Sequence, residues 1–265
     1  MSLRTKRAMI QYKVIDVVDI VYRLFTRQMY LPPYSLREFV GGAKGFKDVG
    51  PSFLNYFKQI GVLNANTNKI LDIGCGSGRL AYTLAMDNEI KKQKISYVGM
   101  DVDSKCIRWC NKNIKKRNPN FDFYSVDLYS KTYNPKGKIK DSEYQFPFEN
   151  NSFDLIILTS VFTHMLEPGL TNYSREIARL LTNNGVAYVT CFLYASKEEA
   201  IQGVERRSNL FPHYFETYSL ADIDFPENAV AYSEKYIKDI FLNAKLANWS
   251  SPCYGVQDLF LLKKA

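Results

Sequence analysis

A glycine-rich segment, residues 70–79, combines the residue types best suited to holding a ligand. It reads ILDIGCGSGR, an apolar run followed by three glycines at alternate positions. Glycines between a strand and a helix let the backbone approach a ligand closely at the helix N-terminus. The dinucleotide fingerprint needs a glycine or alanine where this chain has Arg79, and a phosphate loop needs a following Gly-Lys-Ser/Thr that the segment lacks. The segment therefore predicts a ligand site that is poorly suited to a pyrophosphate.

Three acidic residues follow predicted strands at one edge of a sheet. Asp72 stands two positions before Gly74, Asp101 ends the second strand, and Asp127 follows the third. Each carboxylate alone is equally well explained as a helix cap, but the carboxyl ends of parallel strands share a ligand crevice. An acid beside the glycine turn suits a cationic ligand without phosphate, such as S-adenosylmethionine. Asp101 would then accept hydrogen bonds from the ribose hydroxyls, and Asp127 from the adenine amino group.

An α/β pattern positions these residues. From residue 69 onward, short apolar strands alternate with helical segments, which is typical of a mostly parallel sheet with helices on both faces. One helix is expected to begin at the N-cap Ser104, and another to stop at Asn183-Asn184-Gly185. We predict strands at 69–73, 95–100, 121–126, 154–160, 186–193 and 256–263, and further helices at 171–181 and 233–246.

Several motifs of this α/β region match one family. They are Leu71–Gly78, Gly99–Asp101, Val126–Leu128, Ser152–Ile156, and Ile177–Leu181 followed by Asn184-Gly185. With them the chain resembles the class I, Rossmann-like S-adenosylmethionine-dependent methyltransferases across about residues 69–193. The resemblance implies a seven-stranded sheet of order 3-2-1-4-5-7-6 with the last strand antiparallel. It also implies an enzyme that uses S-adenosylmethionine as its cofactor.

The resemblance further assigns residues of this chain to parts of the cofactor. By position, the methionine part would lie among Asp72, Gly74, Cys75, Gly76 and Gly78. The ribose would bind Asp101, and the adenine would lie against Val102, Asp127 and Leu128. Ser160 would face the sulfonium, while Arg79 either reaches the cofactor carboxylate or lies along its own helix.

His164 is the leading candidate for a catalytic base or for a contact that positions the substrate. It follows the fourth strand, four residues after Ser160, and an imidazole accepts a proton near neutral pH. Displacement at a sulfonium needs such a base only when the methyl acceptor carries a proton that must leave. The alternative is that His164 only hydrogen-bonds its own loop. The second histidine, His213, lies in an aromatic segment, 211–218, where simple packing is favoured over a substrate pocket.

A narrower resemblance concerns the methyl acceptor. Ser160–Met165 is similar to the corresponding stretch in a subset of bacterial methyltransferases that act on small molecules. In that subset Leu36, Gly41-Gly42, Phe46 and Gly50 also resemble an N-terminal cover. The acceptor implied is an oxygen or nitrogen atom of a small molecule, but the subset is diverse and does not identify it.

Two segments lie outside the resemblance. Residues 1–60 are predicted to form a helical cover on a methyltransferase domain of residues 61–265, and the insertion 195–231 is predicted to form a substrate lid. Apolar residues at helical spacing within 9–27 predict a helix that packs on the main domain. A membrane-surface helix is the alternative, and Asp16 and Asp19 argue against it.

Composition narrows the remaining classes. The chain has 265 residues and a net charge of +8, with 46% hydrophobic residues, which indicates a globular protein. No apolar run approaches the ~20 residues of a membrane span, so a cytoplasmic protein without a membrane partner is expected. Cys106 and Cys110 are four residues apart with no third cysteine nearby, so no metal site is predicted.

Alternatives to a small-molecule methyltransferase remain open on the sequence. Lysine-rich stretches at 91–92, 112–117 and 136–140 would suit a nucleic-acid methyltransferase, although solvated surface is the favoured interpretation. A non-catalytic scaffold that binds the cofactor is a further class, and a dehydrogenase is disfavoured by Asp72 and Arg79. The sequence does not specify an oligomeric state.

Overall fold

The computed structural model describes residues 3–38, 45–202, 211–250, 253–254 and 257–265. The helices are α1 (Leu3–Phe25), α2 (Tyr34–Glu38), α3 (Phe46–Gln59), α4 (Arg79–Met86), α5 (Asn88–Gln93), α6 (Ser104–Asn113), α7 (Glu167–Leu180), α8 (Lys197–Gln202) and α9 (Glu234–Asn243). The strands are β1 (Lys69–Ile73), β2 (Ser96–Asp101), β3 (Phe121–Ser125), β4 (Phe153–Leu158), β5 (Leu181–Tyr194), β6 (His213–Tyr214), β7 (Tyr218–Leu220), β8 (Val230–Ser233), β9 (Leu246–Ser250), β10 (Cys253–Tyr254) and β11 (Gln257–Lys264).

The central sheet has the strand order β3-β2-β1-β4-β5-β11-β9. β1 runs parallel to β2 and β4, with Leu71 opposite both Val98 and Ile156. β11 runs antiparallel between β5 and β9, with Phe260 opposite Val189. When β9 is counted as the sixth core strand and β11 as the seventh, this is the order 3-2-1-4-5-7-6. The predicted Rossmann-like fold is therefore confirmed.

Helices cover both faces of the sheet, because successive side chains of each buried strand point to opposite sides. Ile70 of β1 packs in a cluster with Phe57 of α3, together with residues of α4 and α6. Its neighbour Leu71 packs on the other face with Ile177 of α7 and residues of α9. Each such side chain contributes roughly 1.5–3 kcal/mol when it is fully buried. The two clusters fix the carboxyl ends of β1, β2 and β4 at a common edge.

The sheet is larger than the seven strands expected. The end of β5 pairs in parallel with β8, and β7 and β6 continue this extension in antiparallel order. These strands come from the insertion 195–231, and its aromatic residues pack around Phe192 and Phe211. Strands of two to four residues are too short to produce a visible alternation of apolar and polar residues, so the pattern missed them.

Two local predictions were wrong. The N-cap of α6 is Asp103, whose side chain accepts from the Lys105 amide, rather than Ser104. The Asn183-Asn184-Gly185 segment does not stop a helix, since α7 ends at Leu180 and β5 begins at once. The segment instead lies in an irregularity of β5, where the register against β4 shifts.

The N-terminal helix α1 also differs from the expectation. Its valines at 14, 17, 18 and 21 are exposed rather than packed on the domain. The side of α1 that faces the protein is polar, and Asp19 and Arg23 are buried there. These two side chains hydrogen-bond the backbone where the chain enters α2. The Tyr34 N–H donates to Asp19, and Arg23 donates to the Leu31 carbonyl. Backbone satisfaction therefore decides the orientation of α1.

The remainder of the predicted N-terminal cover is partly described. Phe46 and Gly50 are buried at the start of α3, whereas Gly41 and Gly42 lie outside the described residues. A Cβ atom on Gly50 would lie 2.1 Å from Thr83 Oγ1, so a glycine is needed where α3 crosses α4. Among the helices that the structure describes, none is long and apolar enough to cross a membrane.

Candidate active site

The glycine turn between β1 and α4 is held against the end of β2. Gly74, Gly76 and Gly78 have φ values of +77°, +54° and +75°, which other residues rarely adopt. The amides of Gly74 and Cys75 both donate to the Met100 carbonyl, at 2.8 and 3.0 Å. A Cβ on Gly74 would lie 2.6 Å from Val161 Cγ2. The turn therefore has the close backbone approach that the sequence predicts.

Asp101 closes this turn from the end of β2. Its Oδ2 accepts from the Gly76 amide at 2.7 Å, and its Oδ1 accepts from the Asp103 amide at 2.8 Å. Burial raises the pKa of this carboxyl, and the backbone donors oppose that effect. Each oxygen retains a further lone pair for a ligand hydroxyl. Asp101 is thus both an organiser of the turn and a possible acceptor for a diol.

Asp72 is a buried acid on β1 behind the same turn. Its Oδ2 accepts a 2.5 Å hydrogen bond from the hydroxyl of Tyr97, which is itself fully buried in β2. Burial is the dominant influence and raises the pKa of Asp72 to about 7, although the Tyr97 hydrogen bond opposes the rise. A carboxylate in such a position is stabilised by a cation brought next to it.

A single cavity of about 530 Å³ lies at the carboxyl ends of β1, β2 and β4. This volume is within the range typical of small-molecule and cofactor sites. The cavity brings together most of the residues that the sequence indicated. Those that line it are Asp72, Gly74, Cys75, Gly76, Arg79, Asp101, Val102, Leu128, Ser160 and His164.

Two predicted site residues do not line this cavity. Gly78 lies at the N-cap of α4, and a Cβ there would meet Ile114 and Cys110, so its contribution is to the backbone path. The side chain of Asp127 is exposed, and its carbonyl accepts from the amides of Lys138 and Ile139. The structure therefore does not bring the Asp127 carboxylate to the cavity, where the adenine edge was expected.

Ser160 has an unusual backbone conformation directly after β4. Its φ is +60°, a left-handed value that costs energy in a residue with a Cβ. Its amide donates to Thr190 Oγ1 at 2.8 Å, and its hydroxyl accepts from Gln257 Nε2 at 2.9 Å. The conformation is thus fixed from β5 and β11, and it directs the chain into the 3-10 turn Phe162–His164.

The hydrogen bonding of His164 defines which of its nitrogens is available. Nδ1 lies 2.8 Å from the carbonyl oxygen of Glu227, and a carbonyl can only accept. Nδ1 therefore carries the proton, and Nε2 is left as the acceptor. The ring of Tyr133 packs edge-on against the imidazole with centroids 5.5 Å apart. His164 is half-buried at the cavity wall with its orientation fixed from two sides.

The cavity also contains residues that the sequence analysis missed. The loop between β3 and β4 contributes several of them, including Tyr133 and Asp141, whereas only Glu227 comes from the described part of the insertion 195–231. An available signal was the cluster of tyrosines at 129, 133 and 144 in a segment otherwise noted only for its lysines. Further lining residues include Phe53, Phe57, Tyr129, Ser130, Lys140, Ser142, Phe146, Met165, Leu166 and Tyr173.

Cys75, Cys106, Cys110 and Cys191 are buried, and His213 lies away from the cavity. Burial raises the pKa values of the Cys75 and Cys106 thiols, so neither is a ready nucleophile. His213 lies in β6 and does not line the cavity. Within the described ranges, no group of three or more His, Cys, Asp or Glu side chains is arranged to hold a metal ion.

Comparisons with known proteins agree with this architecture. A family model described as a methyltransferase domain matches residues 70–185. The uncharacterized protein MJ0284 of Methanocaldococcus jannaschii is 38% identical over 61 residues, which are 23% of this chain and 26% of that protein. The match thus spans little of the curated relative's length.

Solved structures extend the similarity to most of the chain. The PH0226 protein of Pyrococcus horikoshii OT3 has a TM-score of 0.57 at 15% identity and covers 83% of this chain and 95% of its own. An S-adenosylmethionine-dependent methyltransferase from Leishmania major has a TM-score of 0.57 at 14% identity, covering 88% and 79%. Another from Aquifex aeolicus has a TM-score of 0.53 at 14% identity, covering 88% and 97%. Residues 70–185 therefore match a methyltransferase domain, and the chain has the class I, Rossmann-like fold seen in S-adenosylmethionine-dependent methyltransferases.

Proposed function

We propose that this protein transfers a methyl group from S-adenosylmethionine to an oxygen or nitrogen atom of a small molecule. The observation that supports this most directly is the continuity of one cavity. The same cavity of about 530 Å³ contains the glycine turn and the wall that carries His164, whose Nε2 can accept a proton. A cofactor and an acceptor bound in it would lie beside each other.

The residues present fit the cofactor. Gly74 gives the turn a left-handed backbone at the cavity wall, and Asp72 provides a buried carboxylate for the α-ammonium group. Asp101 retains acceptor capacity for the ribose hydroxyls, with Val102 and Leu128 as apolar contacts for the adenine. The adenine amino group has to find a partner other than the exposed Asp127 side chain.

The bound cofactor supplies an activated methyl group on a positively charged sulfur. The protein then has to align the acceptor with that methyl group, an effect that can be worth about 7–11 kcal/mol. Ser160, fixed from Thr190 and Gln257, holds the chain that leads to His164 in one conformation. We propose that Nε2 of His164 removes the acceptor proton, while the Glu227 carbonyl keeps Nδ1 protonated.

The wall around His164 indicates the acceptor's chemistry. Tyr133, Phe146, Met165 and Tyr173 contribute aromatic and apolar surface, which suits a small ring or chain. Asp141 also lines this cavity, and burial raises the pKa of its carboxyl, an effect increased by the charge of Glu227. Two acids in one wall favour a neutral or cationic acceptor, such as a phenol or an amine, over an anionic one.

Methyl transfer from tritium-labelled S-adenosylmethionine to a panel of small phenols and amines tests this function. We expect label in a small-molecule product, and label in added RNA alone would support a nucleic-acid methyltransferase instead. Failure to bind S-adenosylhomocysteine in calorimetry would contradict the proposal and favour a non-catalytic scaffold.

Substitution of the proposed base tests the mechanism. His164→Gln should lower turnover by at least about 10²-fold while leaving S-adenosylhomocysteine affinity unchanged. The matched control is His213→Gln, because His213 lies in β6 outside the cavity and should retain full turnover. Turnover of His164→Gln equal to that of the control would remove His164 from the proton transfer.

A further inference from the structure

Helix α1 exposes an apolar face of unusual extent. Phe25 is 86% exposed and Val18 is 66% exposed, although both types of side chain are usually buried. Monomeric soluble proteins rarely expose contiguous apolar patches of more than a few hundred Å², and larger patches mark sites of interaction. The large apolar side chains exposed on this face, defined here as the α1 apolar face, are Val14, Ile15, Val17, Val18, Ile20, Val21, Tyr22, Leu24 and Phe25.

The acidic residues of α1 point away from this face. Asp16 and Asp19 are the only acidic residues in its sequence. Asp19 forms buried ion pairs with Arg23 and Arg37, and Asp16 accepts from the amide and hydroxyl of Ser35 at 2.9 and 2.7 Å. Both carboxylates are therefore occupied on the protein side. In the folded chain these two acids therefore do not oppose the binding of α1 to a membrane surface.

The other charged residues of α1 and the turn that follows it are basic. Apart from the buried Arg23, they are Arg4, Lys6, Arg7, Lys13 and Arg27. Two copies of α1 packed face to face would bring together like charges, with no free carboxylate to pair them. A surface of anionic phospholipid headgroups has the charge complementary to this basic sequence.

We propose that α1 lies on an anionic phospholipid bilayer. The α1 apolar face enters the boundary between headgroups and acyl chains, and the positive charge of the α1 sequence attracts it to the headgroups. The buried Asp19–Arg23–Arg37 cluster joins the helix to α2. The inference depends on α1 alone and is independent of the methyl acceptor.

Sedimentation of the full chain with lipid vesicles tests the proposal. We expect it to pellet with phosphatidylcholine vesicles that contain phosphatidylglycerol, more weakly as salt is added, and little with phosphatidylcholine alone. The double variant Val17→Glu with Val21→Glu should bind at least roughly tenfold more weakly, because it loses two apolar side chains that the bilayer would bury. Leu242→Glu is the matched control, because Leu242 of α9 is 62% exposed and Val17 is 65% exposed.

The same variants distinguish a lipid surface from a second copy of the chain as the partner of the α1 apolar face. All of them should retain the unfolding midpoint and the S-adenosylhomocysteine affinity of the parent chain, since the substituted side chains are exposed. Absence of binding to anionic vesicles would overturn the proposal, as would equal binding by the double variant. A parent chain that is a dimer by light scattering, becomes monomeric in the double variant and ignores vesicles would show that a second copy covers the face.

Discussion

Substitution of Asp72 by asparagine tests the electrostatic design of the cofactor site. Asp72 is 5% exposed, and burial raises its pKa from 3.8 to about 7, with Tyr97 as its hydrogen-bond donor. Asparagine has nearly the same shape, can accept from Tyr97 through its amide oxygen, and has no charge to bury. A rise of about three pKa units corresponds to an energy on the order of 4 kcal/mol, at ~1.36 kcal/mol per unit.

The sign of the effect follows from proton linkage. Between pH 4 and 7 the folded chain holds a proton on Asp72 that the unfolded chain has lost, so this carboxyl makes stability fall as pH rises through that window. Above about pH 7 the group is ionised in both states and the full cost is present. Asp72→Asn removes this cost. The variant without ligand should therefore match the parent at pH 4 and be more stable at pH 8, by up to ~4 kcal/mol.

Asp72→Asn should weaken ligand binding, although it stabilises the chain without ligand. The α-ammonium group of S-adenosylhomocysteine compensates an ionised Asp72, so the parent chain should bind it more tightly as pH rises from 5.5 to 7.5. The variant should bind it weakly and with little dependence on pH in this range.

Urea unfolding and calorimetry at matched pH values measure the two effects. Asp122→Asn is the control, because Asp122 lies on β3 of the same sheet, is only half-buried and pairs with Lys115. An Asp72→Asn variant whose stability relative to the parent is the same at pH 5 and pH 8 would refute the account of Asp72 as a buried, cation-seeking acid.

Two further predictions concern glycines in tight contact. Gly74→Ala should weaken S-adenosylhomocysteine binding in calorimetry and lower stability by about 1–2 kcal/mol, since φ is +77° there, and adding Val161→Ala should relieve only the 2.6 Å contact. If the double variant recovered fully, the backbone conformation would not matter. Gly50→Ala should cost ~1–3 kcal/mol in urea unfolding through its contact with Thr83, and Thr83→Ala should restore most of it. Lack of rescue would show that the backbone of α4, rather than the Thr83 side chain, sets the limit.

The sequence was sufficient for the part of the site that is encoded locally. Residues 70–79 form a strand, a turn and a helix start within ten positions, and each glycine is needed for its own backbone conformation. Asp101 is likewise tied to the turn by its register in β2, because parallel neighbours end at the same edge. The sheet order was implied by the resemblance to the class I methyltransferases rather than by the strand pattern, and the strand pairing confirms it.

The acceptor side was less predictable because it depends on distant contacts. Tyr133 faces His164 through a loop whose own sequence has no periodicity, and Glu227 reaches the same histidine from 63 positions along the chain. Asp127 is the opposite case, because its position predicted a site residue but its side chain does not line the cavity. It stands at the expected strand end, yet the hydrogen bonds that its carbonyl accepts from Lys138 and Ile139 hold a loop there and leave its side chain in solvent.

Helix α1 shows why an apolar pattern alone does not determine which side of a helix is buried. The pattern correctly predicts a helix with a valine-rich stripe, but the stripe faces outward because Asp19 and Arg23 provide partners for the backbone that leads into α2. An unpaired buried backbone group costs about as much as a lost hydrogen bond, and four apolar side chains left in water cost several kcal/mol in the isolated chain. That cost is recovered when a surface covers the stripe. The polar side of α1 therefore determines how the helix is attached, and its apolar side is the part left available for a partner.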